Sequence, residues 1–281
     1  MDRIPKILHL YWDGSPMSFL QSLTAVSFHK YNPDWEIKLH VPSEEYKGNM
    51  KFHFIPDYTG KDYFHTLYDL DYVSINTIEL GDYNIRPDLH GILRSDIFRY
   101  HVLYNEGGVW SDFDIIWLKP MEHFSKTNYY GNVPPQDISA VASFIHGDKN
   151  GHSIGVLIHA KHDPYIKSVI GLVDGVKPPF THEDFGGNML NAAYPSLQAI
   201  QERFPNTVSA RFETYYPYMI HPPHKTIQKL YHGVDLSPLQ NNNVLCLHWY
   251  NGHILSKDYV NNDGLNRNCS MTTLLKNEGY I

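Results

Sequence analysis

The sequence predicts an α/β fold, and three stretches carry that expectation. Ile4 to Trp12 is a largely apolar run closed by the turn signal Asp13-Gly14-Ser15-Pro16, which reads as a buried first strand. Leu20 to Tyr31 reads as a helix, and Asn32 to Leu39 then supplies a turn and a second strand. A helix between two strands implies a parallel βαβ unit, which places ligands at the carboxyl ends of the strands. The third stretch, residues 94 to 120, is the one around which the chain is organised.

Leu93, Ile97, Tyr100 and Tyr104 recur at helical spacing from His90 onward, so one face meets a core while Arg94, Asp96 and Arg99 lie elsewhere around the helix. Gly107 and Gly108 tolerate positive φ, which ends the helix and turns the backbone into Val109-Trp110. A strand then delivers Asp112 and Asp114. Two residues apart on an extended or tightly turned segment, both carboxylates reach one hard cation. Ile115 to Leu118 is a second apolar run, ending at Lys119-Pro120.

Taken together, Ser95, Asp96 and Arg99, then Gly107, Gly108 and Trp110, then Asp112 and Asp114 resemble the metal-binding core of GT-A fold nucleotide-sugar glycosyltransferases. More narrowly, they resemble the DXD-containing sugar-binding region shared by yeast-type initiating mannosyltransferases, bacterial capsule glycosyltransferases and the large clostridial glucosylating toxins. A bare Asp-x-Asp carries little: Asp69-Leu70-Asp71 is another, with neither helix nor glycine pair before it. The resemblance implies a Rossmann-like mixed central sheet flanked by helices. It implies one domain over 1–281, with a nucleotide-sugar half at 1–120 and an acceptor-binding half with a C-terminal lid at 121–281. It also implies that Tyr11 and Trp12 pack on the nucleotide base, with core filling as the plainer account of both.

Composition sets bounds on the rest. Hydrophobic content of 42% with 14% aromatics describes a globular protein, and 21 Tyr suit surfaces that stack on sugars or bases. A net charge of −7 leaves no basic footprint for nucleic acid. With only Cys246 and Cys269, disulfides are not the framework. No apolar run approaches the ~18 residues of a membrane span and no leader-like segment follows Met1, so a bacterial cytoplasm, or a host cytoplasm for a viral protein, is the default.

The pattern weakens over 41–87, with a short candidate strand at Phe52 to Ile55 and helical stretches near Tyr63 to Leu70. Beyond Pro120, sheet edges are expected at 128–132, 138–145 and 153–159, followed by a helix from Pro164 to about Val173. The loop from Pro178 to Leu190 opens another helix where similar enzymes place a Gly-containing segment under the sugar. Glu183 or Asp184 would orient the sugar or meet positive charge at its anomeric carbon; acidic residues favoured by a helix N-terminus are the plainer reading. Val244 to Ser256 is a strand leading into a His-aromatic loop. By resemblance, His248 is the first choice for a further metal ligand, with His253 and Ser256 behind it and Lys257 near a phosphate. The usual closing Trp is missing here, since Lys257 follows Ser256. The pairs His159/His162 and His221/His224 lack a third ligand at zinc spacing.

The chemistry implied by the resemblance is transfer of a hexose from a nucleotide diphosphate-sugar, UDP-sugar favoured, with Mn²⁺ or Mg²⁺ and with retention of configuration. By resemblance, Asp114 binds the metal directly and Asp112 meets ribose, sugar or metal-bound water. Asp96 and Arg99 hold sugar hydroxyls, and Ser95 and Trp110 sit near the nucleotide. Without the glycine pair and Asp-x-Asp beside them, Asp96 and Arg99 would read as a helix-surface ion pair. The acceptor is expected to be a glycan or other hydroxyl compound, a cell-surface glycan first. A hydroxylated base in phage or viral DNA, an inactive carbohydrate-binding module and a metal-dependent hydrolase or nuclease are the alternatives.

Overall fold

The computed structural model describes residues 3–13, 16–44, 58–144, 151–177, 184–220 and 225–281. Ten strands are present among them: β1 (Ile7–Tyr11), β2 (Glu36–Pro42), β3 (Val73–Ile78), β4 (Gly108–Ser111), β5 (Ile115–Trp117), β6 (Tyr129–Tyr130), β7 (Ala140–Ser143), β8 (Val156–His159), β9 (Thr207–Ala210) and β10 (Cys246–His248). The helices are α1 (Phe19–Tyr31), α2 (Gly91–Glu106), α3 (Pro164–Asp174), α4 (Gly187–Ala193), α5 (Leu197–Gln201), α6 (Gln228–Tyr231), α7 (Ile254–Asn261) and α8 (Ser270–Asn277).

Eight strands form one mixed sheet in the order β3-β2-β1-β4-β8-β7-β9-β6, while β5 and β10 pair apart from it. The βαβ expectation holds, since β1 and β2 are parallel with Leu8 beside Ile37 and Leu10 beside Leu39. Helix α1 starts on a reciprocal cap: Ser18 Oγ accepts from the Gln21 amide, and Gln21 Oε1 accepts from the Ser18 amide at 2.8 Å. In 41–87 the sequence reading missed β3, an edge strand whose residues are mostly half-buried or exposed, with only Ile78 buried, and so lack a clear apolar period. Tyr63 to Leu70 is a 3₁₀ helix at Phe64–Asp69 rather than an α-helix, and Phe52 to Ile55 lies outside the described residues.

Alternation along the strands explains the layering. Val109, Val141, Val208 and Ile158 face one side with Phe28 of α1, whereas Trp110, Ala142 and Leu157 face the other with Phe98 of α2 and Ile166 of α3. Residues before Pro120 and after it therefore share one sheet and its two cores. A third cluster joins Leu20 and Leu23 of α1 to Trp249, Tyr259, Met271 and Leu275.

A buried polar chain runs under the turn that leads to Asp112. His9 Nε2 lies 2.9 Å from the Gly107 carbonyl, which only accepts, so His9 carries its proton there. His9 Nδ1 then accepts from His40 Nε2 at 3.0 Å, and His40 Nδ1 accepts from the Asn76 amide at 2.8 Å. Both rings are fully buried. Burial drives the His9 pKa down to about 4, while burial and the neighbouring His9 drive His40 down to about 2. Between pH 6.5 and about 4 the unfolded chain protonates His9 and the folded chain does not, so stability falls as the pH drops through that window. We expect urea midpoints to decline from pH 7 to 5, with a loss of about 2 kcal/mol from His9 alone. His9→Gln should flatten that decline; an unchanged pH slope in the variant would show that the pair does not carry it.

Candidate active site

The glycine pair sets the site's approach. Gly107 (φ 72°) and Gly108 (φ 101°) both occupy conformations that disfavour side chains. A Cβ on Gly108 would lie 2.5 Å from the Ile7 carbonyl oxygen, so the turn also needs the space. The chain then enters β4, and Asp112 to Asp114 form the turn between β4 and β5 rather than part of a strand. Helix α1 fastens this turn from below: Thr24 Oγ1 donates to the carbonyls of Phe113 and Ile115 at 3.0 and 2.8 Å.

Arg94, Asp96 and Arg99 are all buried, which overturns the helix-surface pair as an account of the last two. Arg94 is structural, donating to the Leu89 carbonyl at 2.9 Å and to Asp13 at 3.2 Å. Arg99 is the hub of the site. Its guanidinium donates to Asp96 Oδ1 at 2.6 Å, to Ile154 O at 2.6 Å and to Ser95 Oγ at 3.2 Å, and lies 3.2 Å from Asp112 Oδ1. Trp110 packs beneath it, with the guanidinium 4.9 Å from the ring centroid. Trp110 is itself only 1% exposed and spends its Nε1–H on Asp112 Oδ1 at 2.9 Å, so it orients a carboxylate from inside the core.

Burial pushes the Asp96 pKa up to about 7 against the pull of Arg99. Asp112 is also raised, by burial and by Asp114, while Arg99 draws it back. The site thus crowds carboxylates in a region where their charge is poorly solvated.

The β5–β10 pairing brings in the C-terminal residues. His248 stands opposite Ile115, which puts its Nε2 3.3 Å from Asp114 Oδ1. The Asn251 amide donates to Asp114 Oδ2, and the Trp249 amide donates to the Asp114 carbonyl, each at 2.9 Å. Across the sheet, the Asp112 amide donates to the Gly155 carbonyl at 2.8 Å. A Cβ built on Gly155 would stand 3.2 Å from Asp112 Oδ2 and 3.5 Å from His248 Nε2. Its φ is not in the left-handed region, so what a glycine supplies at 155 is room between a carboxylate and an imidazole. That room lies beside Asp112 Oδ2 and His248 Nε2, an oxygen and a nitrogen donor of the kinds that bind a divalent cation. Among the described residues no three such side chains are already gathered at metal-binding distances.

The other sequence candidates fall in different places. Trp12 is half-buried at the end of β1, 5.2 Å edge-on from Phe113 inside the Asp-x-Asp turn. Tyr11 is in the core, 6% exposed, with its ring 5.6 Å from Phe98 and its hydroxyl on Asp13. His253 caps α7 by accepting from the Leu255 amide, and buried Ser256 donates to the Trp249 carbonyl. Asp184 is half-buried beside Phe185, whose carbonyl accepts from Tyr100 on α2 at 3.1 Å. Glu183 and the pair His221/His224 lie outside the described residues. Asp69 and Asp71 are exposed at the end of the 3₁₀ helix, away from any such frame. The Gly155 gap and the Ile154 carbonyl were missed; the available signal was a glycine inside an apolar strand pattern, which marks a close approach of backbone.

Residues 21–132 match the family described as glycosyltransferase sugar-binding region containing DXD motif. This stretch is similar to a DXD-type sugar-binding region. It includes α1, α2, the glycine pair, Asp112 and Asp114. The initiation-specific alpha-1,6-mannosyltransferase of Saccharomyces cerevisiae is 26% identical over 145 residues, 49% of this chain and 27% of the yeast protein. The chain thus matches about a quarter of that relative's length. Among solved structures, the PaToxG glycosyltransferase is similar at 17% identity and a TM-score of 0.44, over 72% of this chain and 70% of that one. The apo-form glycosyltransferase GlyE of Streptococcus pneumoniae TIGR4 is similar at 12% identity and 0.49, over 87% and 54%. His248 lies outside the matched sugar-binding region, yet β10 seats it against that region's second aspartate.

Arg99→Ala would strand Asp96 as a buried, unpaired carboxylate and take a charge partner from the half-buried Asp112, and is expected to cost about 3–5 kcal/mol. Asp114→Ala removes an acceptor for one backbone amide and should cost only about 1–2 kcal/mol. Urea unfolding of the two variants checks the ranking, and equal losses would remove Arg99 from its place as hub.

Proposed function

We propose that this chain is a metal-dependent glycosyltransferase that moves a hexose from a nucleotide diphosphate-sugar, a UDP-sugar by preference, to a hydroxyl acceptor. The observation that carries this reading is the chain of contacts in which His248 stands beside Asp114 and faces Asp112 across Gly155, with Arg99 and Asp96 alongside. Asp114 and His248 would hold Mn²⁺ or Mg²⁺, with Asp112 completing the set directly or through water. When bound, such a cation stabilises charge growing on a diphosphate leaving group.

The chain's own residues have distinct tasks. Trp12 offers an aromatic edge for the base beside the Asp-x-Asp turn, and Ser95 a hydroxyl near the nucleotide. Arg99 holds Asp96 and Asp112 in fixed rotamers, so the carboxylates are pre-aimed before substrate arrives. Asp184, with Glu183, is proposed to orient the transferred sugar. Segment 184–187 borders the approach to β8: a Cβ on Gly187 would fall 2.0 Å from the His152 carbonyl oxygen. Retention of anomeric configuration is proposed from the resemblance of the central pattern to retaining transferases, and a cell-surface glycan as acceptor.

Release of free nucleotide from a panel of UDP-, GDP- and CMP-sugars, with Mn²⁺ or with EDTA, tests the reading directly. One donor should turn over with metal and stop with chelator. Asp114→Ala should lower that turnover by at least about 100-fold while the protein stays folded. Gly155→Ala should leave the melting temperature in buffer within about 4 °C yet abolish the shift produced by Mn²⁺ with donor. Full activity in both variants would sink the assignment of this gap.

A further inference from the structure

We propose that a groove at the far edge of the sheet binds a negatively charged saccharide unit of the acceptor, an inference that rests on the transferase reading above. The groove, about 500 Å³, is lined by Lys126, Thr127, Tyr130, Asn132, Arg211 and Asn243, among others. That volume is in the range of small-molecule sites. Among the described residues no carboxylate lines it, although the chain as a whole carries a net charge of −7.

Two cations are held in place there without being neutralised by an acidic partner. The Arg211 guanidinium lies 4.2 Å from the Tyr130 ring centroid, and its side chain makes no hydrogen bond or ion pair among the described residues. This cation–π contact localises the guanidinium over the ring and leaves N–H donors for a carboxylate or phosphate. Lys126 Nζ donates to the Gly131 carbonyl and sits 4.7 Å from the Tyr129 ring centroid, so its charge is also localised. Thr127 and Asn132 are exposed and Asn243 half-exposed, which supplies neutral donors and acceptors that match sugar hydroxyls.

The topology relates this groove to the transfer site. Strand β8 is antiparallel to β4, β7 is antiparallel to β8, and β9 is parallel to β7, so β9 and β4 run in the same direction. Arg211 follows β9 as Asp112 follows β4, and both leave the sheet at the same end. They are three strand steps apart, roughly 14 Å at ordinary strand spacing. A glycan whose terminal hydroxyl lies at the Asp-x-Asp turn would place a residue further along its chain over Arg211. The groove is therefore an anchor that selects acceptors by charge, separate from the donor site.

Titration calorimetry with a galacturonate trimer, and with maltotriose as the neutral control, tests this. The charged trimer should bind at least about tenfold more tightly, as expected of a charge-assisted contact. Arg211→Ala and Asn132→Asp should each remove that preference; Asn132 is exposed, so its variant keeps the fold. Both should retain wild-type nucleotide release from the donor in the absence of acceptor. Equal binding of the two trimers, no saturable binding, or variants that bind like wild type would overturn the assignment. A wild-type protein that binds the charged trimer but turns over no nucleotide-sugar would instead remove the transferase reading and leave the anionic site standing.

Discussion

The buried guanidinium of Arg99 is the contact on which the site depends. It joins α2 through Asp96 and Ser95, the Asp-x-Asp turn through Asp112, and the approach to β8 through the Ile154 carbonyl. A charge so deep is costly unless all its donors are used, and here two carboxylates, a carbonyl, a hydroxyl and an indole face surround it. Removing any one element would leave the others holding uncompensated charge. Their mutual dependence is what fixes the carboxylates to within a narrow geometry.

Around that hub the fold is built to bring distant stretches to one turn. The glycine pair lets β4 pass close to β1, and Thr24 ties the turn to α1. Ribbon β5–β10 sets His248 beside Asp114 by register alone. No single segment contains the constellation, although the stretch matched at residues 21–132 contributes most of it.

Much of this was legible in the residues because local rules governed them. The period of Leu93, Ile97 and Tyr100 marked α2, and Gly107-Gly108 marked its end, since positive φ is a backbone demand that few residues meet. The burial of Asp96 and Arg99 was not visible in helical spacing, because an i,i+3 pair reads alike on a wet face and a dry one. Tyr11 illustrates the same limit: its neighbour Trp12 is half-buried beside Phe113, and only the sheet's pleat sends Tyr11 into the core. Gly155 was hidden for another reason. Its importance lies in the atoms of Asp112 and His248, which approach it from both sides of the sequence.

The β5–β10 ribbon also imposes an order on assembly. Asp112 and Asp114 emerge in the first half of the chain, while the histidine that meets Asp114 belongs to one of its last elements. Pairings of such long sequence separation close late. During synthesis the carboxylates therefore exist for a time as a turn without its imidazole, and the elements that follow β10 bury Trp249, Tyr259 and Met271 against α1 in the finished fold. Completion of the site is in this sense a late report that the C-terminal third has folded.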